Sequence, residues 1–226
     1  NGETVQQAYA VKDYIEYLDA HASEYSASAV SLVRAIADYG HYVQLFLSSV
    51  NGWTLGTDYA AMMEDPYTGS YTVSTVRSEA ADNYRMTAET TGAFKAPGMS
   101  LVLDSETAIR IFLAHEDGSK LKDEDVTVTV TPATGVAWDA QTQLQKAQKG
   151  NRVMVEIKGV KAAWLAEKFT ITATEYDTDN TQTNTVCALS YIDRLLGSEA
   201  YANNTAAQNA VCALYYYAMA AKAYNE

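Results

Sequence analysis

The sequence is poor in basic residues, in proline and in cysteine. Its 226 residues include 16 lysines and arginines against 28 aspartates and glutamates, which gives a formal net charge of −12. A chain this acidic repels phosphate, so we expect neither nucleic acid nor an anionic membrane surface as a partner. Hydrophobic residues still make up 48% of the chain, which is enough to build a core and excludes wholesale disorder.

Long hydrophobic runs are also missing. A membrane-spanning helix needs about 18 consecutive apolar residues, and the most apolar candidate, residues 211–223, is shorter and contains Lys222. We therefore expect no membrane insertion. The chain starts at Asn1-Gly2 without an initiator methionine or a signal peptide, which favours a processed product or a part of a longer polypeptide that carries other domains.

Helical spacing of apolar residues predicts a pair of helices in residues 1–50. Residues three or four apart define one face of each helix: Val11, Tyr14, Ile15 and Leu18 in the first, and Leu32, Ile36, Tyr39, Val43 and Phe46 in the second. Asn51-Gly52 supplies a stop signal after the second helix.

The C-terminal part of the chain repeats this pattern. The matching positions are Ala188, Tyr191, Ile192 and Leu195, followed by Ala210, Leu214, Tyr217, Ala221 and Tyr224. The connection between the two helices is nearly the same length in both copies. Two interpretations stay open: a duplicated helical pair, or two unrelated helical hairpins.

Between the hairpins the apolar period changes from helical spacing to strict alternation, which is typical of antiparallel strands with one buried face. Alternation predicts strands at residues 109–113, 126–130, 153–157 and 169–173, a short strand at 101–103, and weaker candidates at 71–76 and 84–88. No long helical pattern separates consecutive strands, so a parallel sheet is not expected.

The sequence therefore predicts an α+β fold. Two helical hairpins from the N- and C-terminal ends pack together, and an antiparallel β-sandwich-like insert of 5–7 strands lies between them. The expected boundaries are residues 1–50 for the N-terminal hairpin, 51–185 for the β-rich region and 186–226 for the C-terminal hairpin, all within one compact unit. Packing the hairpins together would bury the second apolar side of the C-terminal helix.

Several segments together resemble a known kind of module. They are YAVKDYIEYL and SLVRAIADYGHYVQLF near the N-terminus, VMVEIKGVKAAWLAEKFTITAT in the middle, and ALSYIDRLL and ALYYYAMAAKAY near the C-terminus. This order is similar to a helix–sheet–helix module found toward the C-terminus of large secreted or wall-attached proteins of Gram-positive gut anaerobes. The resemblance implies an extracellular setting and no known catalytic residues. The two cysteines are a departure from it.

Cys187 and Cys212 lie almost symmetrically about the connection of the C-terminal hairpin. They either form a disulfide, which requires Cα atoms within about 7 Å, or serve as two small buried hydrophobic residues. We favour the interpretation that both are buried hydrophobic residues, because Cys212 points away from the predicted helix–helix seam.

Metal and cofactor sites have little support in the sequence. The histidines His21, His41 and His115 show no zinc-binding spacing. Carboxylates cluster where one strand should turn into the next, namely Glu116, Asp117, Asp123, Glu124 and Asp125. They could bind Ca²⁺, but the favoured interpretation is a solvated turn that keeps the strand edges soluble. Asp177, Asp179 and Asn180 begin like a calcium loop, yet Gln182 and Ala188 replace its glycine and glutamate. We expect no metal and no cofactor.

Aromatic residues in predicted loops are the best candidates for ligand binding, since exposed rings often anchor contacts. They are Trp53, Tyr59, Tyr67 and Trp138. We expect a non-catalytic extracellular module that acts in adhesion, in binding of carbohydrate or of a host or bacterial surface protein, or as a spacer. The alternative is a hydrolase of extracellular polysaccharide or peptide. A deep pocket that holds a pair of carboxylates, or a nucleophile within hydrogen-bond reach of one of the three histidines, would support it.

Overall fold

The computed structural model describes residues 11–51, 66–103 and 106–226. The helices are α1 (Val11–Ala20), α2 (Ala27–Asn51), α3 (Val73–Tyr84), α4 (Ala140–Gln143), α5 (Ile192–Leu196), α6 (Glu199–Ala202) and α7 (Thr205–Asn225). The strands are β1 (Thr87–Thr91), β2 (Phe94–Leu103), β3 (Thr107–His115), β4 (Val126–Pro132), β5 (Leu144–Lys149), β6 (Arg152–Ile157), β7 (Phe169–Glu175) and β8 (Thr181–Val186). Short 3₁₀ helices lie at Ala22–Glu24, Ala162–Trp164 and Ala188–Tyr191. The predicted α+β fold is confirmed.

The chain divides into two compact units. The helical unit combines Asn1–Thr72 with Ala200–Glu226, and the β-unit consists of Val73–Glu199. The observed division therefore falls at residues 72/73 and 199/200, whereas the sequence placed boundaries at 50/51 and 185/186. No described helix combines the length and the apolarity that crossing a membrane requires.

The helical unit is organised around the pairing of α2 with α7, and α1 packs against α2. Tyr42 of α2 and the small residues Ala210 and Ala213 of α7 are buried at its centre. Small side chains let two helices approach closely, and large ones fill the remaining space. The rings of Tyr39 and Tyr217 stack at 5.6 Å between centroids. The predicted meeting of the two chain ends is confirmed by this pair.

The orientation of several helical residues differs from the prediction. Ile15 and Leu18 are buried as expected, but Tyr14 on the same helix and Ile36 on α2 are exposed. Tyr216 of α7 is exposed as well, beside buried Tyr215. Spacing alone fixes which residues share a helix face, but the packed neighbour decides how much of that face is covered.

The β-unit contains two antiparallel four-stranded sheets, with strand orders β1–β8–β7–β4 and β2–β3–β6–β5. Each sheet buries one set of alternating side chains, such as Ile109, Ile111 and Leu113 in β3. Lys146 of β5 donates hydrogen bonds to the carbonyl oxygens of Asp123 and Val126, next to β4. This contact joins the two sheets and supports the sandwich-like arrangement.

The described part of the chain contains eight strands, and the sequence predicted five to seven. The four strands predicted by strict alternation are confirmed as β3, β4, β6 and β7. The weak candidate at 71–76 was wrong, because helix α3 begins at Val73 and buries Val76, Ala80 and Tyr84 at four-residue spacing. The candidate at 84–88 overlaps β1, which begins only at Thr87.

The first helix predicted for the C-terminal hairpin is much shorter than expected. Residues 188–196 form a 3₁₀ helix followed by α5, and α5 packs against α3 within the β-unit. Its counterpart α1 packs against α2 in the helical unit. The duplicated helical pair is therefore not reproduced in the fold, and α7 is the long helix that the C-terminal end contributes to the pairing with α2.

Candidate functional site: an exposed tyrosine stripe

Of the four predicted aromatic residues, the structure describes two, one in each unit. Trp53 and Tyr59 lie outside the described residues. Tyr67 belongs to the helical unit and Trp138 to the β-unit.

Tyr67 and Trp138 both have structural partners. The backbone N–H of Tyr67 donates to Asp38 Oδ1 at 2.7 Å, and the Arg34 guanidinium lies 5.5 Å from the centre of its ring. Trp138 is half-buried and sets its ring against buried Phe169 at 6.2 Å between centroids. Phe169 belongs to the sheet core, so Trp138 extends that core and is a poor candidate for a ligand anchor.

A different set of rings is exposed on the helical unit. Tyr14, Tyr17, His21 and Tyr25 follow one another at spacings of three, four and four residues, and we call them the tyrosine stripe. The three tyrosines are 63%, 51% and 39% exposed. The rings of Tyr17 and His21 stack at 4.2 Å with 26° between their planes. The stripe presents a run of adjacent aromatic rings to solvent.

Helix α1 and the turn after it position the stripe. Ile15 and Leu18 hold one side of α1 in the core, and residues three or four apart share a helix face, so Tyr14 and Tyr17 lie together on another side. His21 Nδ1 lies 2.8 Å from the carbonyl oxygen of Tyr17, which fixes the imidazole against the tyrosine. The 3₁₀ helix Ala22–Glu24 then carries the chain to Tyr25. A site on a helix is held more rigidly than one on a loop.

Acidic groups border the stripe. Asp13, Glu16 and Glu24 are exposed along the same segment. Partial desolvation raises the pKa of the Tyr25 hydroxyl, and nearby Tyr17, Tyr14 and Glu24 raise it further. Tyr25 therefore keeps its proton at neutral pH and can donate a hydrogen bond. The stripe combines flat apolar rings with hydroxyl donors and carboxylate acceptors.

The two cysteines form no disulfide: both are free and buried, which corrects the possible bridge. Cys187 begins the 3₁₀ helix of the β-unit, where its backbone N–H donates to Ser190 Oγ at 3.0 Å. Cys212 lies on α7 in the helical unit, and burial raises the pKa of its thiol to about 12. A thiol with so high a pKa is a poor nucleophile.

The acidic segments that suggested calcium act in turns. Asn180 Nδ2 donates to Glu175 Oε2 at 2.5 Å, and Asn180 Oδ1 accepts from the backbone N–H of Ala93 at 2.7 Å. Within residues 11–51, 66–103 and 106–226, no three histidine, cysteine or acidic side chains cluster as metal ligands.

A shallow groove of about 550 Å³ lies between α3 and α5 in the β-unit. Arg77 and Asp193 line it and pair with each other, with 2.9 Å between Nε and Oδ1. Arg85 approaches the second oxygen of Asp193 at 3.8 Å. The charges in this groove are engaged with one another, so it is a weaker candidate than the stripe.

Comparison with protein-family models, with curated proteins and with solved structures finds no match for this chain. The candidate site therefore depends on its own geometry. Sequence reasoning assigned Tyr14 to the apolar face of α1 and looked for exposed rings only in loops. The missed signal was the spacing of Tyr14, Tyr17, His21 and Tyr25 among acidic residues, which is the pattern of a solvent-facing helix side.

Proposed function

We propose that this chain is an extracellular module of a bacterial cell-surface or secreted protein and that its helical unit binds carbohydrate through the tyrosine stripe. The observation that carries the proposal is the row of exposed rings at Tyr14, Tyr17 and Tyr25 on a supported helical segment. Such binding would serve adhesion. The acidic, lysine-poor composition and the resemblance described above support the extracellular setting.

The chemistry of the stripe favours a sugar chain. Tyrosine offers an apolar ring face and a polar hydroxyl on one side chain, which suits a ligand that has apolar C–H faces bordered by hydroxyl groups. Tyr17 and His21 stack on each other, which holds the Tyr17 ring in one orientation. The exposed carboxylates of Asp13, Glu16 and Glu24 can accept hydrogen bonds from sugar hydroxyls.

The same features disfavour other ligand classes. The carboxylates beside the stripe repel nucleic acid and anionic polysaccharides, so the expected ligand is a neutral or amino-containing glycan. A stable protein partner typically covers about 800 Å² on each side. A single row of rings on one helix and the following turn matches an extended, narrow ligand better than such a broad contact.

A glycan array followed by calorimetry on the full chain tests the proposal. We expect binding to a neutral or amino-containing glycan, and we expect Tyr17→Ala and Tyr14→Ala each to weaken it by at least about 10-fold, as for an anchoring aromatic contact. Tyr17→Phe should retain most of the affinity, because it keeps the ring.

The matched control is Tyr176→Ala. Tyr176 is 72% exposed but belongs to the β-unit, so its removal should leave glycan affinity unchanged. Binding that is lost equally in the Tyr176 and Tyr17 variants would contradict the stripe. An array without any hit would overturn the binding role and favour a spacer that presents other domains.

A further inference from the structure

The β-unit contains a serine, a histidine and a glutamate in hydrogen-bonding sequence. Ser119 Oγ lies 2.8 Å from His115 Nδ1, and His115 Nε2 lies 3.0 Å from Glu175 Oε1. A nucleophile, a base and a group that orients the base stand in this order in serine hydrolases. His115 and Ser119 are four residues apart, and the sandwich brings Glu175 to them from 60 residues away.

The two sheets and a tight turn build this arrangement. His115 ends β3 and Glu175 ends β7, so the histidine and the glutamate meet across the two sheets. The ring of Phe94 stacks on His115 at 5.8 Å between centroids. Gly118 has φ of +77°, a conformation that glycine adopts at little cost, and this turn returns Ser119 toward His115.

Glu175 is held in place on its far side. Its Oε2 accepts hydrogen bonds from Asn180 Nδ2 at 2.5 Å and from Thr178 Oγ1 at 3.3 Å. The side chains of His115 and Glu175 are only 14% and 13% exposed, whereas Ser119 is exposed. The base and its carboxylate are therefore sheltered and fixed, and the hydroxyl faces the solvent, where a substrate can reach it.

The carboxylate determines which nitrogen of His115 carries the proton. An ionised Glu175 can only accept, so in the neutral imidazole Nε2 donates to it. Nδ1 is then left with its lone pair directed at the Ser119 hydroxyl. This is the protonation state that a general base requires.

We propose that Ser119, His115 and Glu175 form a hydrolytic site for short-chain carboxylic esters. Ser119 Oγ attacks the ester carbonyl carbon while its proton passes to His115 Nδ1, and Glu175 stabilises the imidazolium. The tetrahedral intermediate collapses to an acyl-serine, and the alcohol leaves with the proton from Nδ1. Water, deprotonated by Nδ1, then attacks the acyl-serine, and the carboxylic acid is released with the proton returned to Ser119.

The position of Ser119 sets the substrate class. The hydroxyl lies on an exposed turn between β3 and β4, where its neighbours Glu116, Asp117 and Lys120 are exposed and polar, a poor surface for a fatty acyl chain. Small acyl groups such as acetate are the ones that such a surface accommodates. This activity concerns the β-unit and is independent of glycan binding at the tyrosine stripe.

Asp117 is the competing partner of the nucleophile. The backbone N–H of Ser119 donates to Asp117 Oδ1 at 2.9 Å. Hydrogen bonds from the Ser119 side chain and backbone lower the pKa of Asp117, and His115 lowers it further. The Ser119 hydroxyl has a single proton, so Asp117 and His115 Nδ1, which lies 2.8 Å from Oγ, compete to accept it.

A fluorophosphonate probe on the full chain tests the proposal. The reaction forms a Ser119 Oγ–P bond, releases fluoride and gives the hydroxyl proton to His115. We expect one covalent adduct that peptide mass spectrometry places on Ser119, together with hydrolysis of p-nitrophenyl acetate. His115→Gln should slow labelling by at least about 100-fold, the size of a general-base contribution, and Glu175→Gln by at least about 10-fold.

The control variant is Ser78→Ala, which removes an exposed serine bonded to Asp82 and not to a histidine; it should label like the unaltered chain. Mapping the adduct on the unaltered chain does not depend on whether a variant folds, and thermal melting identifies any variant that does not. Absence of an adduct on Ser119, or labelling that proceeds at the same rate in His115→Gln, would overturn the proposal.

Discussion

Two sets of buried polar side chains, one in each unit, differ in how well their hydrogen-bonding atoms are satisfied. In the helical unit, the carboxylate of Asp38 on α2 is buried and fully used. It accepts the backbone N–H groups of Tyr67 at 2.7 Å and Thr68 at 3.0 Å, and the Tyr71 hydroxyl at 3.4 Å. In the β-unit, Gln182 and Asn184 of β8 are completely buried, and amide atoms of both lack hydrogen-bond partners among the described residues.

The difference shows what a buried polar group contributes in each place. Asp38 lies on α2 and binds residues 67–71, which are distant in sequence. These charge-assisted hydrogen bonds offset the free-energy cost of desolvating its carboxylate. Across the β7–β8 ladder, Gln182 faces Ala173 and Asn184 faces Ile171. These apolar side chains cannot form hydrogen bonds with the two amides. The first arrangement stabilises the fold, and the second costs free energy that the rest of the sheet offsets.

Removing the Asp38 carboxylate should have the largest effect on stability. We expect Asp38→Ala to lower the free energy of unfolding of the helical unit by about 3 kcal/mol, since two backbone donors and a hydroxyl lose a charged acceptor. Urea unfolding followed by the helical circular dichroism signal measures it. Glu24→Ala, an exposed acidic residue of the same unit, should change stability by less than about 0.5 kcal/mol. Equal effects of the two substitutions would show that Asp38 does not hold the segment.

High pH should weaken the helical unit before the β-unit. Burial raises the pKa of Tyr39, Tyr42, Tyr71 and Tyr217, and the Asp38 carboxylate raises the pKa of Tyr42 and Tyr71 further. A group whose pKa is raised by folding contributes full stability below its unfolded value, about 10 for tyrosine. That contribution is lost as the pH rises through the folded pKa.

Circular dichroism and tyrosinate absorbance, recorded together during an alkaline titration, test this order. We expect the helical signal to fall as the buried tyrosines ionise, while the β-sheet signal persists to higher pH. Tyr39→Phe cannot ionise, so it should move the helical midpoint upward. Simultaneous loss of both signals in all variants would contradict the assignment of alkaline sensitivity to the helical unit.

One substitution made at two positions of the β-unit should change stability in opposite directions. Gln182→Met removes a buried amide that lacks partners and keeps the shape of the side chain. We therefore expect the free energy of unfolding to rise by about 1 kcal/mol. Gln148→Met removes an amide whose oxygen accepts from Asp123 N, and whose nitrogen donates to the carbonyls of Leu121, Gly150 and Arg152. We expect Gln148→Met to lower the free energy of unfolding by about 2 kcal/mol. If urea unfolding showed that both substitutions stabilise the β-unit, or that both destabilise it, the difference between the two amides would be refuted.

The burial of polar side chains also limits how much of the fold can be predicted from the sequence. Strands with one apolar set of side chains, such as β3 and β7, are visible in the alternation of Ile, Leu and Phe with polar residues. β8 is invisible because its buried positions include Gln182 and Asn184, so its polarity does not alternate. β5 is hidden for a different reason, because its sequence LQKAQK has little apolar alternation and none of its residues is fully buried. Burial of polar residues is decided by the neighbouring strands and leaves no local pattern.

The candidate sites show a similar limit. The spacing of Tyr14, Tyr17 and Tyr25 is readable, but whether those rings face solvent depends on the helix that packs against α1. The group formed by Ser119, His115 and Glu175 has no sequence signature, because Glu175 reaches His115 only where the two sheets meet. The role of Asp38 cannot be predicted from the sequence either, because tertiary structure brings its partners to it.

The smallest expected effect concerns two arginines, one in each unit. Arg34 pairs with Asp19 at 2.7 Å on the surface of the helical unit, and Arg110 pairs with the buried carboxylate of Glu156 in the β-unit. Exposed pairs gain little because water and salt screen them, so we expect Arg34→Gln to cost about 0.5 kcal/mol and to lose that effect in high salt.

Arg110→Gln should cost more and depend less on salt. It leaves Glu156 with Lys158 at 3.9 Å as its remaining cation among the described residues, and a buried carboxylate that loses its close partner stays desolvated. Urea unfolding of both variants at low and high salt makes the comparison direct. If Arg34→Gln proved the more costly, or the two salt dependences coincided, burial of the acidic partner would not be what separates these ion pairs.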